Sequence, residues 1–141
     1  MENKDLIMEA IKVKENSYSP YTKFDVGACL ETDDGTLIHG CNVEDATIRC
    51  GSCAERSAIF TAIANGHRKF KKIAIVGGDL SDYTFPCGTC RQMLHEFAPN
   101  IEVVLAKYSK DERLFVRSYK LPELFPRAFG PEDLDMEEEA K

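Results

Sequence analysis

The chain predicts an α/β fold of three layers, α/β/α, built on a mixed five-stranded sheet, and three observations carry that expectation. Segments with helical and strand periodicity follow one another in the order α-β-β-α-β-α-β-β. The run Ile73-Ala74-Ile75-Val76 is apolar without alternation, as in a central strand covered on both faces. The segments before and after it, 54–65 and 88–97, carry their apolar residues at helical spacing along one stripe.

Taken in order, Leu6, Ile7, Ala10 and Ile11 define a helix from Lys4 to Asn16, with Asn3 placed to cap its start and Pro20 closing the unit. Val26, Ala28 and Leu30 alternate as a strand, Asp33-Asp34-Gly35 supplies a turn, and Leu37 to Asn42 returns as the hairpin partner. Asn42 and Glu44 then stand where a strand leaves the sheet. In the helix Ala54 to Asn65 the stripe runs through Ala58, Ile59, Ala62 and Ile63, and Gly66 provides a C-terminal stop. Lys72 to Gly77 is the central strand and Asp79 to Pro86 a loop. Cys90, Met93, Leu94 and Phe97 share the apolar face of the helix Gly88 to Phe97. Glu102 to Ala106 and Leu114 to Ser118 are strands, and Leu121 to Leu124 a short helix.

At 141 residues the chain suits one domain with a core that needs no disulfides, expected over residues 1–131. Of the net charge of −6, most resides in Pro131 to Lys141, which hold six acids and one lysine; residues 132–141 are expected to form an acidic, disordered tail. The nearly neutral remainder argues against a nucleic-acid groove, because that needs a basic surface. Arg68, Lys69, Lys71 and Lys72 form an isolated basic cluster best read as a solvated turn. There is no apolar run long enough to span a bilayer and no leader-like N-terminus, so the expectation is a soluble, cytoplasmic protein with no membrane partner and its six cysteines reduced.

Two cysteine motifs bear chemistry: Cys53-Ala54-Glu55-Arg56 and Pro86-Cys87-Gly88-Thr89-Cys90. Cys87 and Cys90 project from one side of a helix's first turn, as paired zinc ligands do. Extending the stripe of the other helix back one turn lands on Glu55. A carboxylate there is costly unless it has a task, and moving a proton beside a metal-held water is such a task. Cys53, Cys87 and Cys90 as three ligands leave zinc an open fourth position, the catalytic pattern. Cys50-Gly51-Ser52-Cys53 also has CxxC spacing, so Cys50 as a fourth ligand in a closed, noncatalytic zinc-stabilised binding module is the alternative from another class. Cys53 and Cys87 stand at helix starts, where free N–H groups favour thiolate charge. His39, His67 and His95 join no ligand spacing, and Cys29 and Cys41 read as small apolar fillers.

These motifs, with Tyr21-Thr22-Lys23-Phe24-Asp25-Val26-Gly27-Ala28, Gly40-Cys41-Asn42-Val43-Glu44, Arg91-Gln92 after Cys90, and Leu124-Phe125-Pro126-Arg127-Ala128-Phe129, resemble the small homotetrameric zinc-dependent cytidine deaminases of the three-cysteine type over nearly the whole chain, about Leu6 to Leu134. The resemblance implies that family's fold and one Zn2+ per subunit. It also implies hydrolytic deamination of cytidine and 2'-deoxycytidine in pyrimidine salvage, with Glu55 shuttling the proton and not ligating. By the same resemblance Phe24, Asn42, Glu44, Ala54 and Phe129 contact the nucleoside, Asn42 and Glu44 at the ribose 3'-hydroxyl and Phe129 in a neighbouring subunit's site. Arg56 and Arg91 act behind the sulfurs. The chain departs from the family at Asp45, where Asn is usual, and at Ile48, where Tyr is usual. The second departure removes a phenol, and the altered stretch after Glu44 brings in an alternative substrate, another aminopyrimidine nucleoside such as blasticidin S.

Overall fold

In the computed structural model, which describes residues 1–134, the chain forms α1 (Asn3–Lys14), β1 (Val26–Thr32), β2 (Leu37–Cys41), α2 (Ala54–Ala64), β3 (Phe70–Gly77), α3 (Gly88–Phe97), β4 (Glu102–Tyr108), β5 (Leu114–Lys120), α4 (Leu121–Leu124) and a 3-10 turn (Pro131–Leu134). The five strands lie in the order β2-β1-β3-β4-β5. Only β3 and β4 pair in parallel, in the register Ile73↔Val103 and Ile75↔Leu105; the other three pairings are antiparallel. The expected mixed sheet and three layers are therefore present.

The unbroken apolar run of β3 explains the layering, because its residues alternate between two cores. Ile73 and Ile75 face α2 and α3, packing with Ala54, Ala58, Ile59, Leu94, Val103 and Leu105. Ala74 and Val76 face α1, packing with Leu6, Ile7, Ala10, Cys29 and Val104. Each large side chain enclosed this way contributes about 1.5–3 kcal/mol relative to exposure. Burial also pushes the Cys29 thiol up to about 12, which makes it an inert filler.

Three details differ from the sequence reading. Glu2, not Asn3, occupies the N-cap of α1, and no side chain caps it. The Asn3 amide instead donates to Glu102 at 2.8 Å and accepts from Lys72 at 2.7 Å, tying α1 to the sheet. The basic cluster is likewise structural in part, since the Arg68 guanidinium donates to the carbonyls of Ile63 and His67 at the end of α2. Finally, Glu132–Leu134, expected within the disordered tail, belong to the 3-10 turn, while residues 135–141 of that tail lie outside the described residues.

The feature of the fold that most directly places the site is the contact of α2 with β2. Alanines at 54, 58 and 62 let the helix approach closely, and Gly40 completes the contact: a Cβ built there would lie 2.4 Å from the Ala54 carbonyl oxygen and 2.6 Å from the Ala58 nitrogen. Both atoms are backbone, so the helix must back away to admit a methyl group. Gly40→Ala is expected to cost about 1–3 kcal/mol, the usual range for overpacking, seen as a lower urea midpoint; an unchanged midpoint contradicts the contact.

Candidate metal centre and active site

Helices α2 and α3 deliver the sulfurs. Cys53 is the N-cap of α2 and Cys87 the N-cap of α3, both with extended backbone, φ −69°, ψ 157° and φ −68°, ψ 169°, and neither side chain caps its own helix. Such positions usually hold a short side-chain oxygen that accepts from the first turn. Here the thiols turn toward one another, where the positive ends of both helices favour negative charge. Cys90, one turn into α3 and fully buried, supplies the third sulfur.

The three Sγ atoms lie within 4.8 Å of one another, and those of Cys53 and Cys87 are 3.8 Å apart. Zinc–sulfur bonds of about 2.3 Å in a tetrahedron separate sulfurs by about 3.8 Å, so the trio fits three corners of a zinc site. Electrostatics agree. The Cys53 thiol is drawn down to about 5, chiefly by the hydrogen bond from Cys90 and, against partial burial, by Arg56. Cys90 is pushed well up by that same bond to Cys53 and by burial. One thiolate thus forms readily and discourages the next, and a divalent cation is what lets all three ionise together. Arg56 donates to Cys53 Sγ at 3.4 Å, and its Nε is buried without a hydrogen-bond partner among the described residues, so its charge is left to balance the sulfurs.

Cys50 does not join the group. It is exposed, with its Sγ 3.6 Å from the Thr47 hydroxyl. The Asp45 carboxylate gathers the loop around itself, accepting from the amides of Thr47 and Cys50 at 2.9 Å and of Gly51 at 3.2 Å. That hub holds the Cys50 backbone and leaves its thiol on the surface. The four-cysteine alternative is overturned on this geometry.

Glu55, in the first turn of α2, is only 4% exposed. Its carboxyl is pushed up to about 7, first by burial and then by Cys53 charge, against the pull of its own amide. The alternative role of a buried salt bridge fails, since no ion pair among the described residues involves it. Glu55, Cys53, Cys87 and Ala54 share a cleft of about 330 Å³ with Phe24, Asn42 and Glu44. Phe24 is about half exposed, and its ring rests on the Gly77-Gly78 backbone, where a Cβ on Gly77 would come within 2.8 Å of it.

Asn42 and Glu44 reach the cleft while already holding its walls. The Asn42 amide accepts from Val26 N–H and donates to the Phe24 carbonyl, both at 2.8 Å. Glu44 accepts from the amides of Tyr21 and Thr22 at 3.1 Å and from the Thr22 hydroxyl, which holds its carboxyl below the usual range. Two expected residues lie apart. Arg91 does not reach the sulfurs; it donates to the carbonyls of Pro86, at 2.8 Å, and Leu124, bracing the turn before Cys87. Phe129 is 57% exposed and outside the cleft of its own chain. Thr22, Thr84 and Phe85 line the cleft and escaped the sequence reading, although Phe85 directly precedes Pro86-Cys87.

The family model for the cytidine and deoxycytidylate deaminase zinc-binding region matches residues 1–107. The chain is 41% identical to a cytidine deaminase of Sporosarcina psychrophila, over 95% of this chain and 96% of that one. It is 39% identical to a cytidine deaminase of Halalkalibacterium halodurans, over 96% and 99%. Among solved structures it resembles the cytidine deaminase of Burkholderia pseudomallei, with a TM-score of 0.82 and 42% identity over 92% of this chain and all of that one. The cytidine deaminase of Mycobacterium tuberculosis superposes with a TM-score of 0.78 at 30% identity, over 92% and 98%.

Two outcomes follow from the geometry. Cys50→Ala keeps about one zinc per chain, whereas Cys90→Ser loses it, by metal analysis after dialysis; loss of zinc in the first variant contradicts the three-sulfur site. The second concerns Glu55, whose proton the folded chain keeps up to about pH 7 and the unfolded chain releases near 4.5. The stabilisation present below 4.5 is lost as the pH rises through 7, and a neutral glutamine suffers no such loss. In the metal-free protein Glu55→Gln is therefore expected to exceed wild type by about 3 kcal/mol at pH 8 and to match it near pH 4, measured by urea unfolding at both pH values. A gap that does not change with pH contradicts the assignment.

Proposed function

This chain belongs to the cytidine and deoxycytidylate deaminase family, and we propose that it hydrolyses cytidine and 2'-deoxycytidine to uridine and 2'-deoxyuridine, releasing ammonia. The observation that carries the reading is the buried Glu55 in one cleft with a three-sulfur zinc site. Cys53, Cys87 and Cys90 hold the zinc, which when bound supplies Lewis acidity at its open fourth position.

The remaining work belongs to the chain's own residues. Ionised Glu55 takes a proton from the water whose oxygen is to bond C4, and passes it to N3. It then carries the second proton to the amino group, so that the C4–N4 bond breaks, ammonia leaves and C4 becomes a carbonyl. A carboxyl whose affinity for protons lies near neutrality can both accept and return one at working pH. Arg56 neutralises sulfur charge that would otherwise blunt the metal. Arg91 supports the reaction indirectly, by fixing the Pro86 carbonyl beside Cys87.

Phe24 and Phe85 supply apolar faces for the base, and the free lone pairs and second amide hydrogen of Glu44 and Asn42 suit the 3'-hydroxyl. The alternative of another aminopyrimidine nucleoside such as blasticidin S rested on Asp45 and Ile48; those side chains line a neighbouring cleft and not the one over Glu55. We further infer a cytoplasmic homotetramer acting in pyrimidine salvage, in which the exposed Phe129 serves the cleft of a neighbouring copy. Exposed apolar side chains at Val43, Ile48, Phe60 and Phe129 are consistent with such burial between copies. No helix among the described residues is long and apolar enough to cross a membrane.

The test is ammonia release from cytidine, deoxycytidine and blasticidin S by zinc-loaded protein. Release from the first two is expected, with Glu55→Gln retaining zinc and falling at least about 10³-fold, in the upper part of the usual span of a general acid–base group because it acts twice. Turnover of blasticidin S alone transfers the assignment to that substrate, and an active Glu55→Gln removes Glu55 from the mechanism.

A further inference from the structure

Helix α3 has two working faces. The inner one carries Cys90 and Leu94 into the metal site and core. The outer one, through Arg91, Gln92 and His95, grips the end of α4 and the chain that follows it, since side chains three and four apart on a helix are neighbours. Arg91 donates to the Leu124 carbonyl. The Gln92 amide donates to the Phe129 carbonyl at 2.7 Å. His95 Nε2 lies 3.6 Å from Glu132 Oε1, and its ring meets Phe125 edge-on at a centroid distance of 6.1 Å.

The grip is close because residue 130 has no side chain: a Cβ there would lie 2.6 Å from His95 Nε2 and 2.7 Å from the Glu132 carboxylate oxygens. The turn beyond is tied to itself, with Gly130 N–H donating to the Asp133 carboxylate and Asp133 N–H to the Gly130 carbonyl, both at 2.9 Å. Phe129 is thus an exposed aromatic side chain on a backbone anchored on both sides and at its own carbonyl. An exposed ring gains nothing for folding from such anchoring, whereas a ring that must meet a flat partner does, because fixing it beforehand removes an ordering cost on binding.

We propose that Gln92 is a positioning residue that sets the place of Phe129 through its backbone carbonyl, and with it the affinity for nucleoside, His95 and Gly130 holding the next residues in register. This rests on the reading of Phe129 as a base-contacting ring. Because the effect is on where a ring waits and not on proton transfer, it is uniform between ground and transition states and shows in KM more than kcat.

The experiment is steady-state cytidine deamination by the full-length zinc-loaded protein, with Gln92→Leu, Gln92→Lys, Phe129→Ala and the double variant Gln92→Leu/Phe129→Ala. Gln92→Leu is expected to raise KM about three- to tenfold, the range of one neutral hydrogen bond, with kcat, zinc content and melting temperature near wild type. Gln92→Lys, which restores a donor of similar reach and keeps the proposal testable if the leucine variant folds poorly, is expected to return KM toward wild type. The double variant should be no worse than Phe129→Ala alone. Equal loss from Gln92→Leu in the presence and absence of the Phe129 ring overturns the proposal, as does an unchanged KM in Gln92→Leu. An active wild type with either result sinks the positioning role alone; a wild type that turns over no nucleoside sinks the functional reading and this role with it.

Discussion

Three sulfurs from chain segments 34 residues apart must meet within the span of one metal ion, and the rest of the molecule is arranged by that requirement. Pairing directions in the sheet make it possible. β2, β3 and β4 run one way and β1 and β5 the other, so the helices that follow β2 and β3 both begin at the same edge of the sheet. Both also pack on the same face. That edge is where open α/β sheets place ligands, and Phe24, entering β1, together with Asn42, leaving β2, completes its rim.

Convergence of charge is the second half of the same constraint. Three thiolates and a carboxylate cannot share a dry pocket without compensation. The chain spreads that compensation over two helix N-termini, one guanidinium and the metal, and keeps Glu55 protonated to higher pH than an exposed glutamate. Structural stability and the proposed chemistry pull on this residue in opposite directions: its ionisation costs folding energy, and its readiness to take and return a proton is what the proposed deamination needs.

Much of this was legible in the sequence because the deciding patterns are local. Helix stripes, the β3 run and the two cysteine spacings each occupy a few consecutive turns, and Glu55 was conspicuous as a charge on an apolar stripe. What the sequence does not reveal depends on partners far along the chain. Asn3 looked like a cap and is a cross-link to Glu102 and Lys72. Arg91 adjoins Cys90 in sequence, yet its guanidinium reaches backbone carbonyls at Pro86 and Leu124. Asn42 combines cleft and scaffold roles, which no spacing reveals. The CxxC at Cys50 was a true alternative by spacing, and the Asp45 hub that turns it outward is visible only in three dimensions.

The proposed deamination requires an open zinc site, with three sulfurs and one position left for a lighter atom. X-ray absorption at the zinc edge on the metal-loaded protein tests it most directly. The expected shell is three sulfurs at about 2.3 Å and one oxygen or nitrogen at about 2.0 Å. A shell of four sulfurs would contradict it, closing the site and leaving Glu55 without a reaction to serve.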